Sequence, residues 1–237
     1  MSTPLSNQVL LDIMARDTIF AHLDEPVLRQ LLAIATLKPF AQNDVLQRQG
    51  DEATSAFVLV RGRAKLTQVT LDGTQILMRY IGPGQQCDVM ALLPGMTHGL
   101  SAHAMDAGQL LHWSSTALEP FVHTYPQIAL NALRLLVQCK EDLQRRYQEL
   151  LTECVAQRLA HALLRLVAQA GHPVDEGILI NLPLSREDLA QLAGTTLYTV
   201  SRTLSFWEHA GLIETGRGRV VILKMEEIEA LASAIPA

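Results

Sequence analysis

The chain has 237 residues, of which 49% are apolar, and it carries a net charge of −5. Domains average roughly 150 residues, so this length predicts one large domain or two modest ones. No run reaches the ~18 consecutive apolar residues of a membrane helix, and the polar N-terminus lacks the pattern of a secretion signal. We therefore expect a cytoplasmic protein without a membrane partner. The acidic balance also excludes binding of nucleic acid over the whole surface.

The cysteines restrict the metal centres that the chain can hold. There are three, Cys87, Cys139 and Cys154, with no Cys-x-x-Cys pair. This set excludes an iron–sulfur cluster held by four thiolates of one chain, and it excludes zinc sites with the usual cysteine and histidine spacings. We predict no metal site of these kinds.

Residues 1–125 predict a sensor domain built around a small β-barrel. Residues 8–35 have helical apolar spacing with a break at 24–26. Short apolar runs then recur about every ten residues between glycine turns, which is typical of an antiparallel barrel or jelly roll. Asp72-Gly73 is a strong hairpin signal between two of these runs. The predicted strands are 44–47, 56–60, 64–69, 75–81 and 109–113.

Residues 126–154 predict one long helix that joins two copies of the chain. Apolar side chains recur at steps of three and four residues and form a seam, which Lys140 interrupts. A seam of this length can pack against the chain's own barrel or form a parallel homodimer. We favour the homodimer because the segment that follows is of a kind that binds paired half-sites. The predicted interface residues are Leu133, Leu136, Leu143, Tyr147 and Leu150.

Residues 155–237 predict a winged helix-turn-helix. Ser185 caps a first short helix, Gly194 ends it, and Thr195 or Thr196 caps a second helix. Two short strands then form a small wing. Two helices joined by a short turn place the second helix in a DNA major groove. The elements that lead to this module are a helix over 155–168, a loop over 171–177 and a strand over 178–183.

The second helix has an apolar face and a polar face. Residues 1–125 carry 8 basic and 11 acidic side chains, whereas residues 185–224 carry 5 and 4. A locally basic module on an acidic protein favours site-specific binding of double-stranded DNA. The predicted apolar face consists of Leu197, Val200, Leu204 and Trp207. The predicted DNA-binding residues are Arg202, Ser201, Thr199, Tyr198, Thr196, Arg186, Arg217 and Arg219.

Barrel, long helix and winged helix-turn-helix follow one another in the order found in a bacterial regulator superfamily. Over nearly its whole length the chain resembles the cyclic-AMP receptor and fumarate–nitrate-reduction regulators. The matching motifs include Phe57-x-Leu-Val-x-Gly62, Asp72-Gly73, Gly82-Pro83-Gly84, Leu184-Ser-Arg-Glu-Asp-Leu-Ala and Thr199-Val-Ser-Arg202. The resemblance implies an α+β fold: an N-terminal cyclic-nucleotide-binding-like β-barrel (jelly roll), a long dimerisation helix and a C-terminal winged helix-turn-helix.

The same resemblance implies how the chain would act on DNA. Arg202 would pair with a guanine and Ser201 with a neighbouring base edge. Family members have a Glu where this chain has Tyr198, so the family's base preference does not carry over at that position. The regulator would bind a pseudo-palindromic site as a homodimer and contact RNA polymerase. We expect Arg202→Ala to lose guanine discrimination and Arg217→Ala to weaken binding to all sequences alike.

The sensor pocket departs from the cyclic-nucleotide binders of the superfamily. Those proteins place a Gly-Glu pair on the ribose and an Arg-Ser or Arg-Thr pair on the cyclic phosphate. Alignment through Gly84 puts Val89 at the Glu position and Gly99-Leu100 at the Arg-Ser pair. A buried phosphate without a guanidinium would be left uncompensated. We therefore expect that cyclic AMP does not bind.

A different small effector is expected. The segment from Gly194 to Glu208 most resembles the branch that controls denitrification genes in response to nitric oxide. Thiol or imidazole groups can hold heme iron, which suits a diatomic gas, and Cys87, His98, His103 and His112 supply such groups. The alternative is that the histidines are loop residues and Cys87 is a small buried hydrophobe. The predicted pocket residues are Cys87, Val89, Gly99, Leu100 and His103.

Two alternatives to a nitric-oxide-responsive activator stay open. The first is a regulator of the same superfamily that responds to oxygen, carbon monoxide or redox state. The second is a cupin-like metal enzyme, which needs a His-x-His pair, a following Glu and a distant His. His98, His103 and His112 lack that spacing, and no Glu lies between Glu52 and Glu119. The sequence favours a regulator that is not an enzyme.

Overall fold

The computed structural model describes residues 5–16, 18–216 and 218–234. The chain divides into two compact units, Met1–Glu141 and Asp142–Ala237. One long helix, α4, contributes residues to both units. No helix among the described residues is long and apolar enough to span a membrane.

The first unit contains two antiparallel sheets flanked by helices. The sheets have the strand orders β1-β7-β3 and β2-β6-β4-β5, and this is the jelly-roll arrangement expected from the sequence. The strands are β1 (Thr36–Phe40), β2 (Val45–Gln47), β3 (Ser55–Arg61), β4 (Ala64–Val69), β5 (Gln75–Ile81), β6 (Ser101–Ala104) and β7 (Gly108–Ser114). The helices are α1 (Asn7–Met14), α2 (Glu25–Ala33), α3 (Ser115–Thr124) and the first part of α4 (Pro126–Thr152).

Two apolar clusters hold this unit together. The outer cluster packs helices against the three-stranded sheet, with the rings of Phe20 and Trp113 fully buried and their centroids 4.9 Å apart. The indole Nε1 of Trp113 donates to the carbonyl of Leu31 at 2.8 Å, which satisfies its one polar atom. The inner cluster draws on strands of both sheets and includes Phe57, Leu59, Leu66, Cys87 and Leu110.

The predicted hairpin at Asp72-Gly73 connects β4 and β5. Gly73 has a φ of +84°, a conformation that favours glycine, and the amide of Thr70 donates to the carbonyl of Thr74 at 2.9 Å. The Asp72 carboxylate accepts hydrogen bonds from the hydroxyls of Thr70 and Thr74. These bonds lower the pKa of Asp72, and the bond from the Thr70 hydroxyl has the largest effect. The hairpin signal in the sequence is confirmed.

The start of α4 is anchored in the first unit. Ile128 is fully buried, and the side-chain amide of Asn131 donates to the carbonyls of Ile19 and Ala21 at 3.1 and 2.6 Å. These bonds satisfy a buried amide and fix the position of the first turns of the helix.

The second unit contains the winged helix-turn-helix. The four strands of this unit follow α4 in the chain and form one antiparallel sheet of order β10-β11-β9-β8. Its strands are β8 (Gly171–Val174), β9 (Gly177–Ile180), β10 (Ile213–Gly216) and β11 (Arg219–Ile222). Its helices are α5 (Val155–Ala170), α6 (Arg186–Leu192), α7 (Leu197–His209) and α8 (Met225–Ser233).

Several expectations about local structure were wrong or incomplete. The loop predicted over 171–177 is a hairpin, because β8 pairs with β9 from Gly171↔Ile180 to Val174↔Gly177. The predicted helical stretch over 8–35 contains two separate short helices, α1 and α2. The sequence patterns did not predict the short edge strand β1, the alanine-rich β6, or the helices α3 and α8.

Candidate functional site

The helix-turn-helix is built by two side-chain caps and one glycine. Ser185 Oγ accepts from the amide of Asp188 at 3.0 Å, while the Asp188 carboxylate accepts from the amide of Ser185 at 3.0 Å. This reciprocal pair fixes the start of α6. Gly194, with a φ of +59°, turns the chain after α6. Thr196 Oγ1 then accepts from the amide of Thr199 at 3.2 Å and fixes the start of α7.

Recognition helix α7 is held by one face and presents the other to solvent. Val200, Leu204 and Trp207 are buried, and Tyr198 and Arg202 are exposed on the opposite side. Ser201 lies half-buried beside them. Leu197 was expected on the apolar face but is 51% exposed. Leu197 is the first residue of α7, and its neighbours Thr196 and Tyr198 are exposed as well.

Thr196 and Thr199, the two threonines predicted to contact DNA, form a hydrogen bond with each other. Their hydroxyl oxygens lie 3.0 Å apart, and the Thr196 hydroxyl also serves as the cap of α7. The Thr199 carbonyl accepts from the hydroxyl of Thr203 at 2.9 Å. Thr196 is exposed at the start of the helix, and Thr199 is half-buried. Both residues therefore have a structural task in shaping the turn.

Exposed arginines lie on both helices of the helix-turn-helix and on the wing. Arg186 is the first residue of α6 and Arg219 the first of β11, at the wing. Arg186, Arg202 and Arg219 are exposed, and none of them lies within 4.0 Å of a carboxylate of residues 5–16, 18–216 and 218–234. Their guanidinium groups are therefore available for phosphates or bases. Arg217, also predicted to contact DNA, lies outside the described residues.

The five predicted pocket residues of the sensor domain do not share one environment. Val89 is buried in the outer cluster, Cys87 is buried in the inner cluster, and Leu100 packs partly against the inner cluster. Gly99 is exposed. His103 lies between Ala102 and Ala104 on β6, and because both alanines point into the inner cluster, its side chain points to the outer face of the sheet.

Burial controls the protonation of the thiol and imidazole groups. Burial raises the pKa of the Cys87 thiol far above its usual range, and the negative charge of Asp88 is the second cause. The thiol therefore stays protonated. Burial followed by the charges of Lys65 and Arg48 lowers the pKa of His103, and burial followed by Lys38 lowers that of His112. For both residues the shift favours the neutral imidazole at neutral pH.

A carboxylate that the sequence reasoning missed organises the same segment. Asp88 Oδ2 accepts from Gln47 Nε2 at 2.8 Å and lies 3.0 Å from Nδ1 of the buried His98, while its Oδ1 accepts from the amide of Met90 at 3.1 Å. Gln47 Nε2 also donates to the carbonyl of Leu100 at 3.0 Å. We name Gln47, Asp88 and His98 the Asp88 cluster. It joins the end of β2 to the segment between β5 and β6.

Family models match both units. A cyclic nucleotide-binding domain covers residues 37–125, and a Crp-like helix-turn-helix domain covers residues 157–231. The chain belongs to the CRP/FNR family of transcription regulators. Like other CRP/FNR regulators it binds DNA through the helix-turn-helix, so the exposed face of α7 belongs to a DNA-binding domain.

Characterised CRP/FNR regulators resemble the chain over most of its length. The cyclic AMP receptor protein of Thermus thermophilus is 26% identical over 193 residues, which cover 81% of this chain and 86% of the relative. The nitrogen fixation regulation protein FixK of Bradyrhizobium diazoefficiens is 26% identical over 220 residues, which cover 91% and 90%. The structure of FixK2 from Bradyrhizobium japonicum superposes with a TM-score of 0.73 at 22% identity, covering 86% of this chain and 100% of that one.

Two further contacts brace the DNA-binding module of this CRP/FNR regulator. The Glu208 carboxylate, near the end of α7, accepts from the amide and the hydroxyl of Thr215 at 2.8 and 2.6 Å. The Thr215 hydroxyl is the largest cause of a lowered pKa of Glu208. These bonds join the recognition helix to the wing. The spacing of seven residues between the two carries no local signal, so sequence patterns could not reveal the pair.

Arg158 of α5 is the second brace. Its Nε donates to the carbonyl of Ala193 at 2.9 Å and its Nη2 to that of Gly194 at 3.3 Å, both in the helix-turn-helix turn. Its Nη1 donates to the carbonyl of Glu153 at 2.7 Å, in the short connection between α4 and α5. One guanidinium thus satisfies carbonyls of the turn and of the connection that leads into the module.

Proposed function

We propose that this regulator responds to a small uncharged effector, nitric oxide, and does not bind cyclic AMP. The observation that supports the proposal is the Asp88 cluster. The segment between β5 and β6 that the family uses for a cyclic phosphate contains here a carboxylate of the protein itself. Its donors, Gln47 and the Met90 amide, are already committed to that carboxylate. A second anion at this place would meet repulsion and too few donors.

The guanidinium of Arg79 lies near this segment but is hydrogen-bonded to the main chain. Arg79 Nη2 donates to the carbonyls of Gln86 and Cys87 at 3.3 and 3.1 Å, so its guanidinium is engaged with the main chain. Gly99 and Leu100, at the position of the family's Arg-Ser pair, offer no charge. The name of one relative, a cyclic AMP receptor protein, therefore does not extend to the ligand of this chain.

A ligand-binding experiment tests the effector. Titration calorimetry with cyclic AMP is expected to give no heat of binding for the wild-type protein. Affinity for a promoter fragment is expected to rise when nitric oxide is added without oxygen. Micromolar binding of cyclic AMP would contradict the proposal. A response to oxygen, carbon monoxide or a thiol oxidant in place of nitric oxide would instead support the alternative sensor function.

Heme is the cofactor that would suit such an effector. Cys87 does not fit as a thiolate ligand, since burial keeps its thiol protonated. His98 fits better, because a carboxylate on Nδ1 is the arrangement that orients an imidazole whose Nε2 binds a metal. The described residues contain no group of three or more His, Cys, Asp or Glu side chains that could hold a metal ion without a porphyrin. Protein expressed with heme supply is expected to show a Soret band that shifts with nitric oxide and is lost in His98→Leu.

We also propose that the regulator is a homodimer joined along α4. The five seam side chains Leu133, Leu136, Leu143, Tyr147 and Leu150 are each between 37% and 65% exposed on the single chain, and exposed leucines at this spacing favour a partner helix. Such a dimer presents two recognition helices to a pseudo-palindromic site with half-sites ~34–36 Å apart.

The target genes and the direction of control are part of the same proposal. The similarity of the segment Gly194 to Glu208 to nitric-oxide-responsive regulators supports an activator of denitrification-type genes that contacts RNA polymerase. In vitro transcription from a denitrification promoter is expected to rise with the regulator and nitric oxide together. A fall in transcript under these conditions would identify a repressor.

A further inference from the structure

Tyr198 occupies a position from which a side chain can contact a base edge. It is the second residue of α7, and recognition helices contact bases through residues near their N-terminus. Its side chain is 73% exposed, and it forms no hydrogen bond with any residue of the described ranges. Arg202 lies one turn further along the same exposed face. The two side chains are therefore presented to DNA together.

The protein fixes the direction in which this face points. Val200, Leu204 and Trp207 are each at most 2% exposed, so the helix cannot rotate about its axis without emptying the core of the domain. The cap at Thr196 fixes where the helix begins. Tyr198 is thus a preorganised ring on a rigid element, and its exposure is not a consequence of a loose segment.

We propose that Tyr198 selects thymine at the base pair next to the guanine that Arg202 contacts. This inference rests on the DNA-binding function given above and adds a specificity-determining residue to it. The face of a phenol ring is apolar, and the thymine 5-methyl group is the apolar group that base edges present in the major groove. The phenol hydroxyl can both donate and accept, so it discriminates weakly between base edges. The contact between the ring and the methyl group therefore distinguishes thymine from the other three bases.

A carboxylate at the same position would select a different base. A glutamate accepts a hydrogen bond from the N4 amino group of cytosine and offers no favourable contact to a methyl group. Replacing Tyr198 by Glu is therefore expected to change the preferred base from thymine to cytosine. Replacing it by Phe retains the ring and removes only the hydroxyl, so the thymine preference is retained.

Phe206 provides a matched control on the same helix. It is 70% exposed and has nearly the same ring, but it lies in the last turn of α7. Eight residues of helix place it ~12 Å further along the axis than Tyr198. Base contacts come from the N-terminal part of the helix, so Phe206→Ala is expected to leave every base preference unchanged.

The test is selection of double-stranded DNA from a random library by the full-length protein, with and without a nitric oxide donor. Wild type, Y198F and F206A are expected to enrich thymine beside the guanine that Arg202 contacts. Y198A is expected to lose this preference, which we expect to be about five-fold. Y198E is expected to enrich cytosine at the same position. Circular dichroism should show equal folding of all variants, since both rings are exposed.

The outcomes separate this inference from the function on which it rests. If wild type enriches no sequence under either condition, the DNA-binding function and the inference both fail. If wild type enriches a site but Y198A and Y198E select the same bases, the inference alone fails. Loss of thymine preference in Y198F would likewise overturn it, because the hydroxyl and not the ring would then carry the selection.

Discussion

Arg202 and Arg219 are both exposed arginines, but they belong to different elements and we expect different effects from their loss. Arg202 projects from the recognition helix, where a guanidinium can pair with guanine O6 and N7, and Arg219 begins the second strand of the wing, where phosphates are the available partners. Arg202→Ala should reduce discrimination for guanine by about 1–3 kcal/mol. Fluorescence anisotropy with matched and mismatched duplexes measures this difference.

Arg219→Ala is the companion variant. It should weaken binding to specific and random DNA alike and lower the slope of log affinity against log salt by about one. Equal losses of specificity in both variants would contradict the assignment of Arg202 to base contacts and of Arg219 to phosphate contacts. A salt slope unchanged by Arg219→Ala would show that the wing does not contact phosphate.

Glu208 gives a prediction about pH. Its hydrogen bonds from Thr215 lower its pKa below the ordinary value of 4.5, so the folded state favours the carboxylate. The stability that results is present above that ordinary value and is lost as the pH falls through the lowered one. Glu208→Gln should destabilise the second unit by about 1 kcal/mol at neutral pH and flatten this acid-side loss. Urea unfolding at several pH values tests it, with the exposed Glu214→Gln as control.

At the scale of elements, α4 and α5 are joined by an ion pair whose carboxylate is buried. Arg165 Nη1 donates to both carboxylate oxygens of Glu149 at 2.7 and 2.9 Å, and Glu149 is only 5% exposed. Glu149 is the buried partner, so removing Arg165 leaves a buried carboxylate without its counter-charge, and Arg165→Ala should cost about 3 kcal/mol of stability. The double variant Glu149→Leu with Arg165→Met should cost less than the single one. Thermal unfolding of both variants checks this order, and a loss below about 1 kcal/mol in the single variant would show that the pair behaves as a solvent-exposed one.

The elements also show what sequence patterns can supply. The periodicity of apolar residues and the turn residues were sufficient to predict β3, β4, β5, α5 and both helices of the helix-turn-helix. Each of these elements is determined by local spacing, caps and glycines. The short strands β1 and β6 gave no such pattern, since their pairing with β7 and with β2 and β4 decides them. For the same reason the Asp88 cluster escaped prediction: Gln47 and Asp88 stand 41 positions apart.

At the scale of the whole molecule, the proposed dimer makes oligomeric state and DNA affinity interdependent. Leu143 is 54% exposed at the centre of the seam, so Leu143→Glu places two carboxylates opposite each other in a parallel pair. Light scattering should then show a monomer, and affinity for a two-half-site duplex should fall by at least ten-fold, while a single half-site is bound as before. Gln144→Glu, exposed one residue further on, is the charge-matched control and should stay dimeric.

Gly194 has neighbours that reach beyond its own turn. A Cβ built there would lie 2.5 Å from Cδ2 of Leu150, and the φ of +59° disfavours any larger residue. Leu150 is a seam residue of α4, so one side chain faces the turn of the DNA-binding module and, in the proposed dimer, the partner helix. A thermodynamic cycle of Gly194→Ala and Leu150→Ala should then be non-additive for unfolding and for dimerisation. If the proposed dimer forms, the turn and the seam share the Leu150 side chain, and we expect subunit association and the shape of the DNA-binding surface to be energetically coupled.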